Sequence, residues 1–300
     1  MTTMKTDFRQ NGFEVQTSPP VSVQVAESEM AILRDEALTV LEKTSRTFFI
    51  PISRLPPGLL EAVGSAYLCF RAIDEIEDHA ALDHGTKVKL LRNISQTLQS
   101  SVDGVNRGGL WVTSSEYRDK LPEVTIRLGD WVQLAPKSVA PRIWDATATM
   151  ADRMADWVMC NWRIQTEADL DRYTFGVAGA VGLLLSDLWA WYNGTMTYRV
   201  HAIGFGRGLQ SVNILRNHSE DLARGVEFFP DGWNESALHV YARRNLGYAD
   251  AYVSELPQGP VMEFCRIPLT LAYATLDALA QGRRKLERSE IVRLVGGCER

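Results

Sequence analysis

Apolar residues recur at intervals of three and four along most of this chain, a spacing typical of helices that bury one face. The first such stripe consists of Met30, Leu33, Ala37, Leu38, Val40 and Leu41. The strict alternation of apolar and polar positions that predicts a half-buried strand is missing almost everywhere. The pattern therefore predicts an all-α protein.

Prolines and glycines divide this pattern into long segments. Pro51 and the cluster Pro56-Pro57-Gly58 precede a helix predicted to end near Asp78. Further helices are predicted at about 85–102, 120–135, 139–163, 167–192, 196–223, 234–255 and 258–282, with loops at 103–118 and 224–233. Because no repeat and no break in composition marks a second domain, we predict one bundle of eight or nine helices.

The amino-terminal segment is different, because residues 1–27 show no periodic apolar face. We expect them to form a flexible arm, and residues 28–300 to form a single domain. The segment also lacks the apolar run of a secretory signal, which predicts a cytoplasmic protein. The charged amphipathic tail after residue 282 allows at most a peripheral membrane contact.

Composition adds mainly exclusions. The 37 acidic residues outnumber the 32 basic ones, so the basic surface that nucleic-acid binding requires is not expected. The 45% apolar content excludes a disordered chain. The four cysteines, Cys69, Cys160, Cys265 and Cys298, follow no zinc-like spacing and are predicted to be reduced and unpaired.

One predicted helix carries polar residues where apolar ones are expected. Residues 58–78 are apolar on nearly every side, as in a helix at the centre of a fold. Yet Tyr67, Arg71, Asp74 and Asp78 form a single stripe along it, with Glu75 beside them. Carboxylates on a poorly solvated face need a neutralising cation, which predicts a divalent metal. The alternative is a solvent-facing helix end held by salt bridges.

A second helix repeats this arrangement. Gln210, Asn213, Asn217 and Asp221 share one face, and Glu220 is adjacent to them. Two polar stripes of equal pitch indicate two walls of one cavity. A network of amides in the bundle core is the alternative, and it accounts poorly for the acidic end of the stripe.

Glycines recur between these two helices. Gly176, Gly179 and Gly182 lie three residues apart in a strongly helical stretch, where each glycine costs about 1 kcal/mol relative to alanine. The spacing predicts a groove for a long apolar chain or, equally, a bend or a close contact between helices.

Four segments together resemble the squalene and phytoene synthase family of isoprenoid enzymes over about residues 40–280. They are SRTFF at 45–49, AYLCFRAIDEIED at 66–78, YTFGVAGAVG at 173–182 and LQSVNILRNHSEDLARGVEFFP at 209–230. The resemblance implies the all-α isoprenoid-synthase fold with a central cavity. It also implies magnesium-dependent ionisation of an allylic prenyl diphosphate donor.

The resemblance implies a role for each matching residue. Asp74, Asp78 and Asp221, with Tyr67, would take part in catalysis. Magnesium would be bound by Asp74, Glu75, Asp78, Glu220 and Asp221. The substrate would be bound by Ser45, Arg46, Phe48, Arg71, Tyr173, Ala178, Gly179, Gln210, Asn213 and Asn217. Aromatic faces, among them Phe48, Tyr173, Phe175 and Trp189, would shield an allylic cation.

The chain departs from the family pattern at three positions of the last segment. Asn217 stands where the family has Asp, Val226 where it has Arg, and Phe228 where it has Tyr. Each change removes a charge or a hydrogen-bonding group from the side that would hold a second diphosphate. We therefore predict transfer of the prenyl group to an uncharged aromatic acceptor, of the carbazole type found in secondary metabolism.

Three other interpretations remain open on the sequence alone. Head-to-head condensation of two prenyl diphosphates is possible if Asp221 and Glu220 suffice without an acid at position 217. Water could accept the prenyl group, which would release an alcohol. The chain could also be a non-catalytic isoprenoid-binding protein that has kept the fold. His218 is a candidate base for ring prenylation, and a surface histidine is the simpler interpretation.

Overall fold

The structure is a computed structural model that describes residues 21–100 and 115–297. Within those ranges it contains fourteen α-helices, one π-helical segment and no β-strand, so the all-α prediction is confirmed. The first helices are α1 (Val21–Thr44), α2 (Arg46–Ser53), α3 (Leu59–Glu77), α4 (His84–Ser100), α5 (Ser115–Arg118), α6 (Glu123–Ile126) and α7 (Leu128–Leu134). Then follow α8 (Ala140–Met159), α9 (Glu167–Thr174), the π segment (Phe175–Gly179), α10 (Ala180–Asn193), α11 (Arg199–Ala223), α12 (Glu235–Glu255), α13 (Pro260–Ala280) and α14 (Arg288–Gly297).

The helices are more numerous than the eight or nine predicted, because several predicted helices are interrupted. The stretch 120–135 is divided at Arg127 into α6 and α7, and the π segment separates α9 from α10. Helix α1 begins at Val21, inside the predicted arm, whose residues 1–20 lie outside the described part. Most of the loop predicted at 103–118 also lies outside it, and the division into arm and domain stays a prediction.

Helix α3 lies inside the bundle, as its apolar circumference predicts. It packs against α1, α6, α7, α8 and α10, and Ile73 is fully buried on it. Two buried hydrogen bonds to neighbouring helices fix its position. Ser65 donates to the carbonyl oxygen of Trp131 at 2.7 Å, and Thr125 donates to the carbonyl oxygen of Ala72 at 2.9 Å.

Helix α11 lies on the opposite side of the interior, along α12 and against the π segment and α10. Its contacts with the π segment and with α10 are backbone to backbone. A methyl group added at Gly206 would lie 2.1 Å from the carbonyl oxygen of Ala178, and one at Gly182 would lie 2.0 Å from that of Ala202. Close helix contact therefore accounts for the glycine at position 182. Helices α3 and α11 both contact α10, and a cavity remains between them.

One stretch of the described residues, Glu167–Asn193, is long and apolar enough to span a membrane by length and composition alone. Its most apolar window has a mean hydropathy of 1.3. It comprises α9, the π segment and α10, which pack against α8 and α11 inside the bundle. This position in the core accounts for its apolar composition, and the cytoplasmic location stays a prediction.

Candidate active site

A cavity of about 290 Å³, here called the central cavity, lies between α3, α8, α10 and α11. The predicted site residues that line it are Phe48, Tyr67, Arg71, Asp74, Tyr173, Ala178, Gln210 and Asn213. Most of the remaining wall is apolar and includes Val63, Met150, Val181, Leu184, Leu185 and Phe264. The cavity therefore suits a molecule with a polar head and an apolar chain.

Arg71 organises the acids of α3 at the cavity wall. Its Nη1 donates to Asp74 at 2.8 Å, and its Nη2 bonds to Glu75. Its Nε is buried, with no hydrogen-bond partner among the described residues. Asp74 lines the central cavity, whereas Glu75 does not. An unpartnered donor in the wall of a cavity fits an anionic ligand, because buried donors are costly to leave unpaired.

Two carboxyl groups at the end of α3, those of Asp74 and Glu77, have raised pKa values. Partial burial, together with the nearby charge of Asp78, raises the pKa of Asp74 to about 7, against the opposing effect of Arg71. Glu77 is only 4% exposed, and burial raises its pKa to about 8 although Trp162 donates a hydrogen bond to it at 2.5 Å. Glu77 also lines the central cavity, and the sequence analysis overlooked it. Its position three residues after Asp74 was the available signal.

A single guanidinium joins the two predicted acidic motifs. Asp78 caps the end of α3, and Asp221 lies near the end of α11. Arg224, just after α11, donates to Asp78 at 2.5 Å and to Asp221 at 2.6 Å. We call this contact the Arg224 bridge. The sequence analysis placed Arg224 in a loop and assigned it no role.

The polar stripe of α11 is divided between two cavities. Gln210 and Asn213 line the central cavity, while Asn217 and Glu220 line a neighbouring space of about 580 Å³, here called the side cavity. Arg216 also lines the side cavity and donates to the amide oxygen of Asn217 at 3.2 Å. The two cavities share a wall made of Phe48, Leu209, Asn213 and Pro268.

A third space of about 350 Å³, the Lys87 cavity, lies beyond the acidic end of α3. Its lining includes the cations Lys87 and Arg224, the acids Glu77 and Asp78, and also Val226 and Phe228. Phe228 is buried and stacks on Tyr173, with ring centroids 4.6 Å apart. The positions where the family pattern has Arg and Tyr therefore share a cavity with two cations from elsewhere in the chain.

The remaining predicted substrate-binding residues lie at the start of α2 and in the π segment. The Ser45 hydroxyl caps α2 by accepting from the backbone N–H of Phe48 at 3.2 Å. The side chain of Arg46 lies outside the described part of the structure. Burial raises the pKa of Tyr67, against a hydrogen bond with Ser45 that lowers it. Gly179 is buried behind the cavity wall, not in it.

Three further candidates lie away from the central cavity. Phe175 and Trp189 are not part of its lining, and Trp189 is fully buried in the core. His218 stacks on Phe229 at 4.0 Å between ring centroids, and its Nε2 lies 3.1 Å from a carboxylate oxygen of Glu227. These contacts leave His218 outside the central cavity.

In the described part of the chain, acidic residues of the site are paired with arginines and do not form a preformed metal site. Within 21–100 and 115–297, no three Asp, Glu, His or Cys side chains already converge as a preformed metal site. Arg71 and Arg224 hold the acids instead. Because Asp78 and Asp221 both bond one guanidinium, carboxylates of both motifs lie within reach of a single cation. Their hard oxygen atoms are ligands that Mg²⁺ prefers, so the chemistry of the donor set fits a magnesium ion.

Comparison with known proteins gives concordant results. A family model described as squalene/phytoene synthase matches residues 41–241. A squalene synthase of Eremothecium gossypii is 30% identical over 294 residues, which cover 86% of this chain and 65% of that protein. A squalene synthase of Dictyostelium discoideum is 29% identical over 271 residues, which cover 80% of this chain and 62% of that protein. The chain thus spans less than two thirds of the length of these relatives.

Solved structures agree at the level of the fold. A structure of TcSQS in complex with a ligand superposes with a TM-score of 0.72 at 23% identity, covering 88% of this chain and 85% of the other. A dehydrosqualene synthase in complex with a ligand gives a TM-score of 0.60 at 18% identity, covering 91% and 97%. The all-α fold of this chain is therefore shared with these two structures.

Proposed function

Because the chain belongs to the squalene/phytoene synthase family, we propose that it catalyses the head-to-head condensation of two prenyl diphosphates. The observation that carries this proposal is the central cavity, which has an anion-binding end at Arg71 and Asp74 and an apolar remainder. The side cavity adjoins it along a shared wall, which offers room for the prenyl chain of a second substrate. The relatives named squalene synthase support the same reaction.

The prediction of an aromatic, carbazole-type acceptor in secondary metabolism is wrong. The relatives that match most of the chain are named squalene synthase, which supports the alternative of head-to-head condensation. The prediction failed because it counted charges along one motif. In space, Lys87 and Arg224 share a cavity with Val226 and Phe228, so this region is not without cations.

We propose magnesium as the cofactor, held by Asp74, Asp78 and Asp221. When bound, it would neutralise the charge that develops on the departing diphosphate. The open Nε of Arg71 would donate to a diphosphate oxygen at the polar end of the central cavity. The phenolic hydroxyl of Tyr67 would donate a hydrogen bond there, since burial raises its pKa and keeps it protonated at neutral pH.

The apolar wall would hold the prenyl chain and keep water away from the allylic cation. Val63, Leu184 and Phe264 are almost fully buried around the cavity, so little solvent reaches them. The rings of Phe48 and Tyr173 line the same space. Aromatic faces attract cations, so both rings would stabilise the positive charge until the second substrate reacts.

The test is product analysis with the full chain, farnesyl diphosphate and Mg²⁺, compared with the same mixture containing a chelator. We expect a product that contains two farnesyl groups, detected by mass spectrometry, together with release of pyrophosphate. Without free Mg²⁺ the release should stop. Farnesol as the sole product, with Mg²⁺ present and the donor consumed, would contradict the proposal.

A further inference from the structure

Arg224 is placed where two parts of the candidate site meet. It follows directly on α11, and its side chain reaches across to the end of α3, 146 residues earlier in the chain. Helices α3 and α11 pack against common neighbours and not closely against each other. The Arg224 bridge therefore spans a gap, and both of its partners, Asp78 and Asp221, are acids assigned above to magnesium.

Arg224 also lines the Lys87 cavity, where position 226 carries no cation. Val226, two residues later, occupies the position where the family pattern has Arg, and both residues line the Lys87 cavity. Val226 is buried and uncharged, whereas the side chain of Arg224 is 36% exposed. A half-exposed side chain on the short turn after α11 has room to change partners.

We propose that Arg224 is a substrate-binding residue that alternates between two partners. Without metal it holds Asp78 and Asp221 together, and with magnesium on those carboxylates it binds the second diphosphate in place of the missing arginine at position 226. This inference rests on the proposed function, since a second diphosphate must be bound for condensation.

The exchange follows from charge and geometry. A guanidinium and a magnesium ion compete for the carboxylates of Asp78 and Asp221, and the divalent ion interacts with them more strongly. The displaced guanidinium stays within the Lys87 cavity, because the backbone of Arg224 is held by hydrogen bonds to Asp221 and Leu222. Its forked donors match the oxygen atoms of a diphosphate.

The first experiment measures Mg²⁺ binding to the full chain by calorimetry, without any substrate. We expect Arg224→Ala to bind Mg²⁺ about fivefold more tightly or better, because no guanidinium has to be displaced. The matched control is Arg243→Ala, which breaks a surface ion pair with Asp277 at 2.5 Å and should bind Mg²⁺ like the wild type. Unchanged or weaker Mg²⁺ binding by Arg224→Ala would overturn the competition between guanidinium and metal.

The second experiment measures binding of inorganic pyrophosphate at saturating Mg²⁺. We expect Arg224→Ala to weaken it by about tenfold or more, and Arg224→Lys by less, since lysine keeps the charge without the fork. The double variant Arg224→Ala/Val226→Arg should restore binding to within about threefold of the wild type. Wild-type affinity in Arg224→Ala, or no rescue by the double variant, would overturn the replacement of position 226.

Circular dichroism spectra of each variant check that it is folded. If Arg224→Ala does not fold, Arg224→Lys takes its place in both experiments. These measurements use only Mg²⁺ and pyrophosphate, so they do not depend on whether a product forms from farnesyl diphosphate. A chain that makes no condensation product can still show the predicted exchange, and an active chain can fail to show it.

Discussion

Helices α3 and α11 form opposite walls of the central cavity but differ in the charge they carry. The end of α3 holds Asp74, Glu77 and Asp78, and burial raises the pKa of Asp74 and of Glu77 to about 7 and about 8. The wall of α11 presents the neutral amides Gln210 and Asn213 to the cavity, and its one buried acid, Asp221, points towards Arg224. Most of the charge needed for metal binding is thus on one side.

Helix α11 differs from α3 in another respect, because glycines let its backbone approach its neighbours closely. Added methyl groups would lie 2.1 Å from the carbonyl oxygen of Ala178 at Gly206, and 2.7 Å from Leu246 at Gly208. The helix therefore contacts its neighbours on two sides with no room for an added methyl group. The comparison indicates that α3 provides most of the charge of the site. The close packing of α11 fixes the position of the opposite wall.

Neutralising one acid on each wall tests the difference between the two walls most directly. We expect Asp74→Asn to lower kcat of the condensation by about 100-fold or more, because Asp74 lines the central cavity beside the open donor of Arg71. We expect a loss of only about tenfold for Asp221→Asn, because Asp221 is not part of the lining of the central cavity.

Initial rates of pyrophosphate release from farnesyl diphosphate measure both losses. Asp277→Asn, which removes a surface acid paired with Arg243, serves as the control and should keep the wild-type rate. Equal losses for the two site variants would show that the walls contribute equally to the chemistry.

A second variant tests whether α11 acts through its position. Gly206→Ala forces a methyl group against the Ala178 carbonyl, so the free energy of unfolding should fall by about 1–3 kcal/mol. Gly247→Ala on α12 is the matched control, because an added methyl group there meets nothing within 4 Å. It should be neutral or stabilise the protein by up to about 1 kcal/mol. Equal stability of the two variants in urea denaturation would rule out the backbone contact as the cause.

The pH dependence of stability tests the raised pKa of Glu77 on α3. Burial raises the pKa of Glu77 from 4.5 to about 8, so between these values the folded protein binds more protons than the unfolded chain. The free energy of unfolding should therefore fall as pH rises from about 5 to about 8. Glu77→Gln removes this titration. Between pH 5 and pH 8, its free energy of unfolding should therefore rise by at least about 1 kcal/mol relative to that of the wild type.

Urea denaturation at several pH values between 5 and 8 measures this difference. Asp277→Asn is the control, because this exposed acid is paired with Arg243 and is not among the charges that act on Asp74 or Glu77, so the pH dependence should remain like that of the wild type. A wild-type slope in Glu77→Gln would contradict the assignment of the pH dependence to this residue.

The smallest effect is expected where the family pattern is restored. Asn217→Asp should change the Mg²⁺ concentration for half-maximal activity by less than about fivefold, because position 217 faces the side cavity and contacts Arg216. Activity measured across a series of Mg²⁺ concentrations checks this expectation. A much lower Mg²⁺ requirement would show that position 217 belongs to the metal site and that both walls contribute metal ligands.

The sequence alone predicted the facing stripes of the site. Helical periodicity assigned Tyr67, Arg71 and Asp74 to one face and Gln210 and Asn213 to another, and all five line the central cavity. This succeeded because a spacing of 3.6 residues fixes which side chains share a face, whatever surrounds the helix. The apolar circumference of α3 likewise predicted its central position.

Other features depend on side chains that reach beyond their own helix. Arg224 follows the end of α11, where periodicity no longer applies, so its contact with Asp78 could not be predicted. Glu75 lies beside the predicted stripe but bonds Arg71, while Glu77 faces the cavity. The substitution of Arg by Val226 appeared to remove a charge that two neighbours in space, Lys87 and Arg224, supply in the same cavity.

The wall shared by the central and side cavities limits how the substrates proposed for this protein can change. Phe48, Leu209 and Pro268 each border both spaces, so a larger or smaller side chain at any of them reshapes the two at once. Selection for a longer chain in one substrate would therefore alter the room for its reaction partner. Independent adjustment of the two chain lengths requires mutations at residues that border a single space, such as Leu184 or Leu271.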